Sequence, residues 1–262
     1  MRGAIEPRAA TLAFAHDLAD AAGAIVRRYF RRKITVDEKS DHTPVTIADR
    51  NAEAAMRRLI KARFPEHGIL GEEFGASKPD ADYVWVLDPI DGTKSFISGI
   101  PLFGTLIALT YRGRPVLGVI DQPILKERWI GVTGRKTTLN GKPVKTRACP
   151  SLDRATLFAT SPDMFQQGDA AAFERLRRKV KLTRFGGDCY AYALLATGFI
   201  DLVVEVDLKP YDYCPLVPVI AGAGGTMTGW DGKPLELGAD GRVIASGDQA
   251  LARRARRVLA SR

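Results

Sequence analysis

The chain has 262 residues, 39 Lys and Arg against 30 Asp and Glu for a net charge of +9, and 45% hydrophobic residues. These are globular proportions that exclude a disordered, collagen-like or low-complexity chain, and the length suffices for one large domain or two packed subdomains. Three cysteines, Cys149, Cys189 and Cys214, form no CxxC pair, so a zinc ribbon is excluded; with no signal peptide or membrane span read in the sequence, a reducing cytoplasm is expected.

In chain order, apolar residues from Leu12 to Tyr29 recur at helical spacing over residues 8–32, and Arg27, Arg28, Arg31 and Arg32 close that helix. Thr46-Ile-Ala-Asp49 has the form of a capping box, which predicts a second helix from Ile47 to just before Pro65. Residues 83–87 read as a strand stopped by Asp88-Pro89, and residues 105–111 and 116–121 as a strand pair. Turn residues accumulate from Asn140 to Ser151, which predicts a boundary between residues 1–145 and 146–262. Beyond it, strands are expected at 156–160, 202–206 and 243–246, and helices at 170–179, 190–197, 216–223 and 249–260. The fold class is a layered α+β or α/β sandwich, with an antiparallel sheet in the first half and mixed α/β structure in the second. The basic terminal segment reads as the solvated face of a helix rather than a nucleic-acid surface.

The chemistry concentrates in Gly71-Glu-Glu-Phe-Gly75 and Asp88-Pro-Ile-Asp-Gly-Thr-Lys-Ser-Phe96. Two carboxylates leaving a strand, with Glu72 supplied from another loop, repel one another unless cations lie among them. Hard oxygen ligands of this kind suit Mg²⁺. Gly92-Thr93 can aim backbone N–H groups at an anion, with a short helix starting there.

Through GEE and DPIDGT the sequence resembles the inositol monophosphatase superfamily of Mg²⁺-dependent phosphomonoesterases. Lys39 and Pro44-Val-Thr-Ile-Ala-Asp49 resemble its flexible segment and water-orienting aspartate, and Tyr211-Asp-Tyr-Cys-Pro-Leu216 its late WDxAAG motif, with Asp212 kept. The resemblance implies an αβαβα sugar-phosphatase-like fold. It also implies one Mg²⁺ on Glu72, Asp88 and the Ile90 carbonyl, a second on Asp88, Asp91 and Asp212, and a third that shares Glu72. Asp49 and Thr93 would orient the water, while Gly92 and Thr93 would hold phosphate oxygens. A homodimer acting on a small phosphate monoester, with neither nucleic acid nor membrane as partner, completes that expectation.

Residues 184–205, RFGGDCYAYALLATGFIDLVVE, and the LKPYD that ends at Asp212 resemble the histidinol-phosphate phosphatase branch. There Asp188 and Glu205 would take the cationic and polar ends of L-histidinol phosphate, with Arg184 near the phosphate or bracing the loop. Two readings of Asp188 stand side by side, a substrate contact or a cap for the helix expected at Tyr190 with Arg184 as ion-pair partner. An inositol or broader sugar phosphatase is the alternative activity, a 3′-phosphoadenosine phosphatase a third, and a basic nucleic-acid-binding protein the alternative class.

Overall fold

In the computed structural model, residues 9–33, 36–38 and 44–261 are described; Lys39 and His42 lie outside them. The first half runs α1 (Ala9–Tyr29), β1 (Val36–Glu38), β2 (Pro44–Thr46), α2 (Ile47–Arg63), β3 (Gly68–Gly71), β4 (Gly75–Ser77), β5 (Tyr83–Asp91) and α3 (Thr93–Ile97). It continues through β6 (Gly104–Tyr111), β7 (Arg114–Gln122), β8 (Glu127–Val132), β9 (Thr138–Leu139) and β10 (Lys142–Pro143). The second half comprises β11 (Thr156–Ala159), α4 (Gln167–Arg177), β12 (Leu182–Phe185), α5 (Asp188–Ala196), β13 (Leu202–Glu205) and α6 (Pro210–Tyr213). After these come α7 (Leu216–Gly222), β14 (Thr226–Gly229), β15 (Val243–Ser246) and α8 (Gln249–Ala260).

Consecutive buried residues in a strand need cover on both faces, and Val84, Trp85, Val86 and Leu87 of β5 are all buried. Trp85 and Leu87 face α1 and α2, with Leu18, Ala22, Ala52 and Met56. Val84 and Val86 face the opposite way, onto Tyr192 and Leu195 of α5 and Val219 and Ile220 of α7. The far side of α5 and α7 meets Val203, Val243 and Ala245 of the second sheet, whose outer face carries Leu157 and Val204 against Phe173 of α4 and Leu259 of α8. The layers are therefore αβαβα, as the resemblance implies. By length and composition α1 could cross a bilayer, yet its apolar side, including Phe14, Leu18 and Val26, is buried against α2 and the first sheet.

The larger sheet has the order β10-β9-β8-β7-β6-β5-β3-β4. It departs from a purely antiparallel sheet at one place, where β3 pairs parallel to β5 because the edge strand β4 turns the chain back before it re-enters beside β3. The second sheet, β12-β11-β13-β15-β14, is mixed.

Candidate metal centre and phosphate turn

Strand β5 does not stop at Asp88-Pro89 but runs on to Asp91. Asp88 pairs with Leu106 and Asp91 with Gly104, so Pro89 and Ile90 together oppose Thr105. This bulge removes the ladder position that proline, lacking an N–H, could not fill. The Thr105 hydroxyl donates to the Pro89 carbonyl at 2.8 Å and fixes the bulge. Residues three apart in a regular strand face opposite sides; the bulge shifts that phase and brings Asp88 and Asp91 together. Asp212, in the single turn of α6, joins them, and one oxygen from each of the three carboxylates lies within 4.8 Å of the others.

Each of these aspartates is held by a backbone amide. Ile90 N–H donates to Asp88 at 3.0 Å, Cys189 N–H to Asp91 at 2.6 Å and Lys209 N–H to Asp212 at 2.7 Å. Among the described residues no cationic side chain forms an ion pair with the trio; Lys209, whose ammonium pairs with Asp207, acts on Asp212 by its charge alone. Glu72 adjoins the trio through Asp88. Burial, then the charges of Glu72, Asp91 and Asp212, pushes the Asp88 carboxyl well above the ordinary range. Burial, then Asp188 and Asp212, does the same to Asp91. Asp212 is raised to about 7, chiefly by burial, with Glu72 and Glu205 adding to it against the Lys209 amide. An all-oxygen donor set of mutually repelling carboxylates, Asp88 buried and Asp91 and Asp212 partly so, fits a hard divalent cation, which is the physical means of keeping all of them ionised.

Beside the trio, Gly92 adopts a left-handed conformation, φ 83°, and caps α3. A Cβ there would lie 2.9 Å from Asp188 Oδ2, so the turn requires glycine on two grounds, its conformation and the approach of an acid. The Ile90 side chain is buried in the core, and its carbonyl accepts the Thr93 hydroxyl at 3.0 Å; no Thr93–Asp49 hydrogen bond occurs among the described residues.

Asp49 forms the expected capping box, accepting from the Thr46 N–H at 2.8 Å and the Thr46 hydroxyl at 2.6 Å. Its second oxygen is buried with no hydrogen-bond partner among the described residues, and burial, aided by Glu72, raises its pKa despite the Thr46 hydrogen bonds. The cap thus leaves one oxygen of Asp49 for other work.

Asp188 does not cap a helix starting at Tyr190, because α5 begins at Asp188 itself. Its side chain reaches across to α3 and accepts the Ser95 hydroxyl at 2.7 Å, with the Thr160 hydroxyl and Lys94 also favouring its charge against burial. Nor is Arg184 its ion-pair partner; Arg184 is exposed on the edge strand β12, and its side chain makes no hydrogen bond or ion pair among the described residues. Glu205 is buried, and its oxygens accept from Thr160 N–H and the Tyr192 hydroxyl, each at 2.7 Å.

Away from the acidic residues, His67 stacks on Phe64 and Tyr83 and accepts from Trp85 Nε1, while His16 is exposed beside Arg128. All three cysteines are buried and free. Sequence reasoning missed Ser95 and Thr160, the partners of Asp188, and the buried pair Glu53 and Arg57 behind the Glu72 turn. The only signal for that pair was its i, i+4 spacing on α2.

An αβαβα sandwich with an acidic trio beside a glycine-capped turn defines a metal-dependent phosphatase architecture. Residues 8–261 match the inositol monophosphatase family, and the chain belongs to it. Its phosphatase class and the metal dependence of that family follow. The chain is 58% identical over 231 residues to the bifunctional phosphatase IMPL2, chloroplastic, of Arabidopsis thaliana, covering 87% of this chain and 67% of that one. It is 37% identical to a histidinol-phosphatase of Chlorobaculum parvum, covering 92% and 93% of the two chains. The structure of an inositol monophosphatase from Zymomonas mobilis superposes with a TM-score of 0.90 at 50% identity, covering 97% and 99%.

Proposed function

We propose that the protein hydrolyses L-histidinol phosphate to L-histidinol and phosphate, with Mg²⁺ held by Glu72, Asp88, the Ile90 carbonyl, Asp91 and Asp212. Residues 1–145 would form the subdomain bearing most ligands and the phosphate turn. Residues 146–262 would supply Asp212 and the specificity loop, in a cytoplasmic homodimer.

When bound, two or three Mg²⁺ ions lower the pKa of water and offset the charge of the ester and of its leaving oxygen. The chain's own groups do the rest. The Asp49 oxygen to which no described residue donates can accept a proton from water, and the Thr93 hydroxyl, now on the Ile90 carbonyl, can rotate to position that water. The Gly92 and Thr93 N–H groups lie at the start of α3 and suit phosphate oxygens.

The observation that carries the substrate choice is Asp188, a carboxylate set directly against Gly92. A polyol phosphate has no cation to offer such an acid, whereas histidinol phosphate carries an amine. The hydroxyls of Ser95 and Thr160 leave lone pairs on Asp188 for that amine, since a carboxylate has about four acceptor sites. Glu205 would then shape the recess behind Asp188 and Asp212, and Arg184 would approach the substrate from the rim of β12.

An inositol or sugar phosphatase is the second reading, favoured by the likeness to the Zymomonas mobilis inositol monophosphatase structure. Phosphate release from L-histidinol phosphate, inositol 1-phosphate, fructose 1,6-bisphosphate and 3′-phosphoadenosine 5′-phosphate distinguishes these readings. Histidinol phosphate is expected to give the highest kcat/KM; a higher value for inositol 1-phosphate would overturn the assignment.

A further inference from the structure

The turn that carries Glu72 lies between two short strands, β3 and β4, at the edge of the larger sheet. Such a turn has few ladder hydrogen bonds to hold it. Behind it stands Glu53, fully buried on α2. Glu53 Oε2 accepts from Glu73 N–H at 2.7 Å, and Oε1 accepts from Phe74 N–H at 3.2 Å and from Arg57 Nε at 2.7 Å. Arg57 completes the grip by donating to the Gly75 carbonyl. A Cβ on Gly71 would overlap Glu53 Oε1, so the glycine of the GEE motif is the space into which this carboxylate fits.

We infer that Glu53 and Arg57 are positioning residues that hold the Glu72 turn in register with Asp49 for metal binding. Asp49, Glu53 and Arg57 are spaced four apart on one face of a single helix. Asp49 caps that helix, and one turn later Glu53 grips the Glu72 turn, so α2 fixes the distance between the two acids. The charge on Glu53 is fully compensated by Arg57 and two backbone amides. It therefore orients without competing for a cation. This inference rests on Glu72 being a metal ligand.

Calorimetric titration of metal-free protein with Mg²⁺ tests it, with the thermal midpoint recorded for every variant. Glu53→Gln keeps the shape but loses one acceptor and the ion pair. It is expected to weaken Mg²⁺ binding by roughly ten- to a hundredfold, the usual effect of removing a group that orients a ligand. Gly71→Ala should weaken binding in the same range by pushing Glu53 away, and Arg57→Lys, which keeps the charge but not the fork, by less. Leu176→Ala, in the distant core between α4 and the second sheet, supplies comparable destabilisation and should bind Mg²⁺ as the parent does. Binding within twofold of the parent in folded Glu53→Gln would overturn the inference; should that variant not fold, the same result for Gly71→Ala and Arg57→Lys would. Glu72→Gln separates the two levels. If it binds normally, the ligand role of Glu72 fails; if it alone weakens binding, only the positioning role of Glu53 fails.

Discussion

Glu53 beside the Glu72 turn and the Asp88, Asp91 and Asp212 trio at the end of β5 are acids withdrawn from solvent to different degrees, and they are finished in different ways. Glu53 meets Arg57 and two backbone amides, so its charge is compensated within the chain. Asp88, Asp91 and Asp212 have one amide each and, among the described residues, no ion pair with a cationic side chain, and burial and mutual repulsion push their carboxyls up. The first arrangement holds a shape; the second is completed only by charge from outside. Buried charge alone therefore does not mark a site. Buried charge that the fold leaves uncompensated does.

The sharpest way to break this contrast is Asp91→Asn, which still accepts the Cys189 N–H but withdraws one negative charge. Turnover at saturating Mg²⁺ is expected to fall about a thousandfold or more, roughly 4 kcal/mol of transition-state stabilisation. The metal-free protein should meanwhile melt no lower than the parent, because a repulsion has been removed. Activity within a few-fold of the parent would remove Asp91 from the chemistry.

Arg57→Met addresses the other side, leaving the Glu53 carboxylate buried without its cation. Breaking such a pair is expected to lower unfolding free energy by about 3 kcal/mol in urea titrations. A change near zero would show Glu53 to be compensated by its backbone amides alone.

Asp188 lies between the two arrangements, partly satisfied by hydroxyls and open to a further partner. Asp188→Asn should lower kcat/KM for histidinol phosphate about ten- to a hundredfold, the worth of one charge-assisted hydrogen bond. Glycerol 2-phosphate hydrolysis should change much less. An equal loss on both substrates would make Asp188 a brace for α3 rather than a substrate contact.

The smallest effect is a pH dependence. Asp212 has its folded pKa raised to about 7, so its contribution to stability is fully present below the unfolded value near 4 and is lost as pH rises through about 7. Asp88 and Asp91, also raised, act with the same sign. Added Mg²⁺ should therefore raise the melting temperature more at pH 8 than at pH 5, by about 2–4 °C for each kcal/mol involved. An equal gain at both pH values would mean that the trio does not hold the ion.

Much of this was legible in the sequence because it is local. The capping box at Thr46 and Asp49 placed the start of α2, and the limits of β15 and α8 fall where the periodicity puts them. The acids of DPIDGT announced a cluster, the resemblance of YDYC to a family motif added Asp212, and the structure brings Asp88, Asp91 and Asp212 together. What was not legible depends on partners far along the chain. Pro89 reads as a stop, and only pairing with β6 shows it to be part of a bulge. Residues 182–185, Leu-Thr-Arg-Phe, are too short and exposed to read as a strand until β11 lies alongside. Glu53 and Arg57 look like any exposed helical ion pair, since nothing in α2 says that the Glu72 turn will bury them. For the same reason the sequence leaves Asp188 between a substrate contact and a helix cap and does not show its tie to Ser95, 93 residues away.

The most direct test of the central claim, that the uncompensated carboxylates are completed by Mg²⁺ for phosphate-ester hydrolysis, is phosphate release from L-histidinol phosphate by chelator-stripped protein during titration with Mg²⁺. The stripped protein should remain folded and release no phosphate, and activity should return saturably as Mg²⁺ is added. Full activity in the stripped, metal-free protein would contradict it.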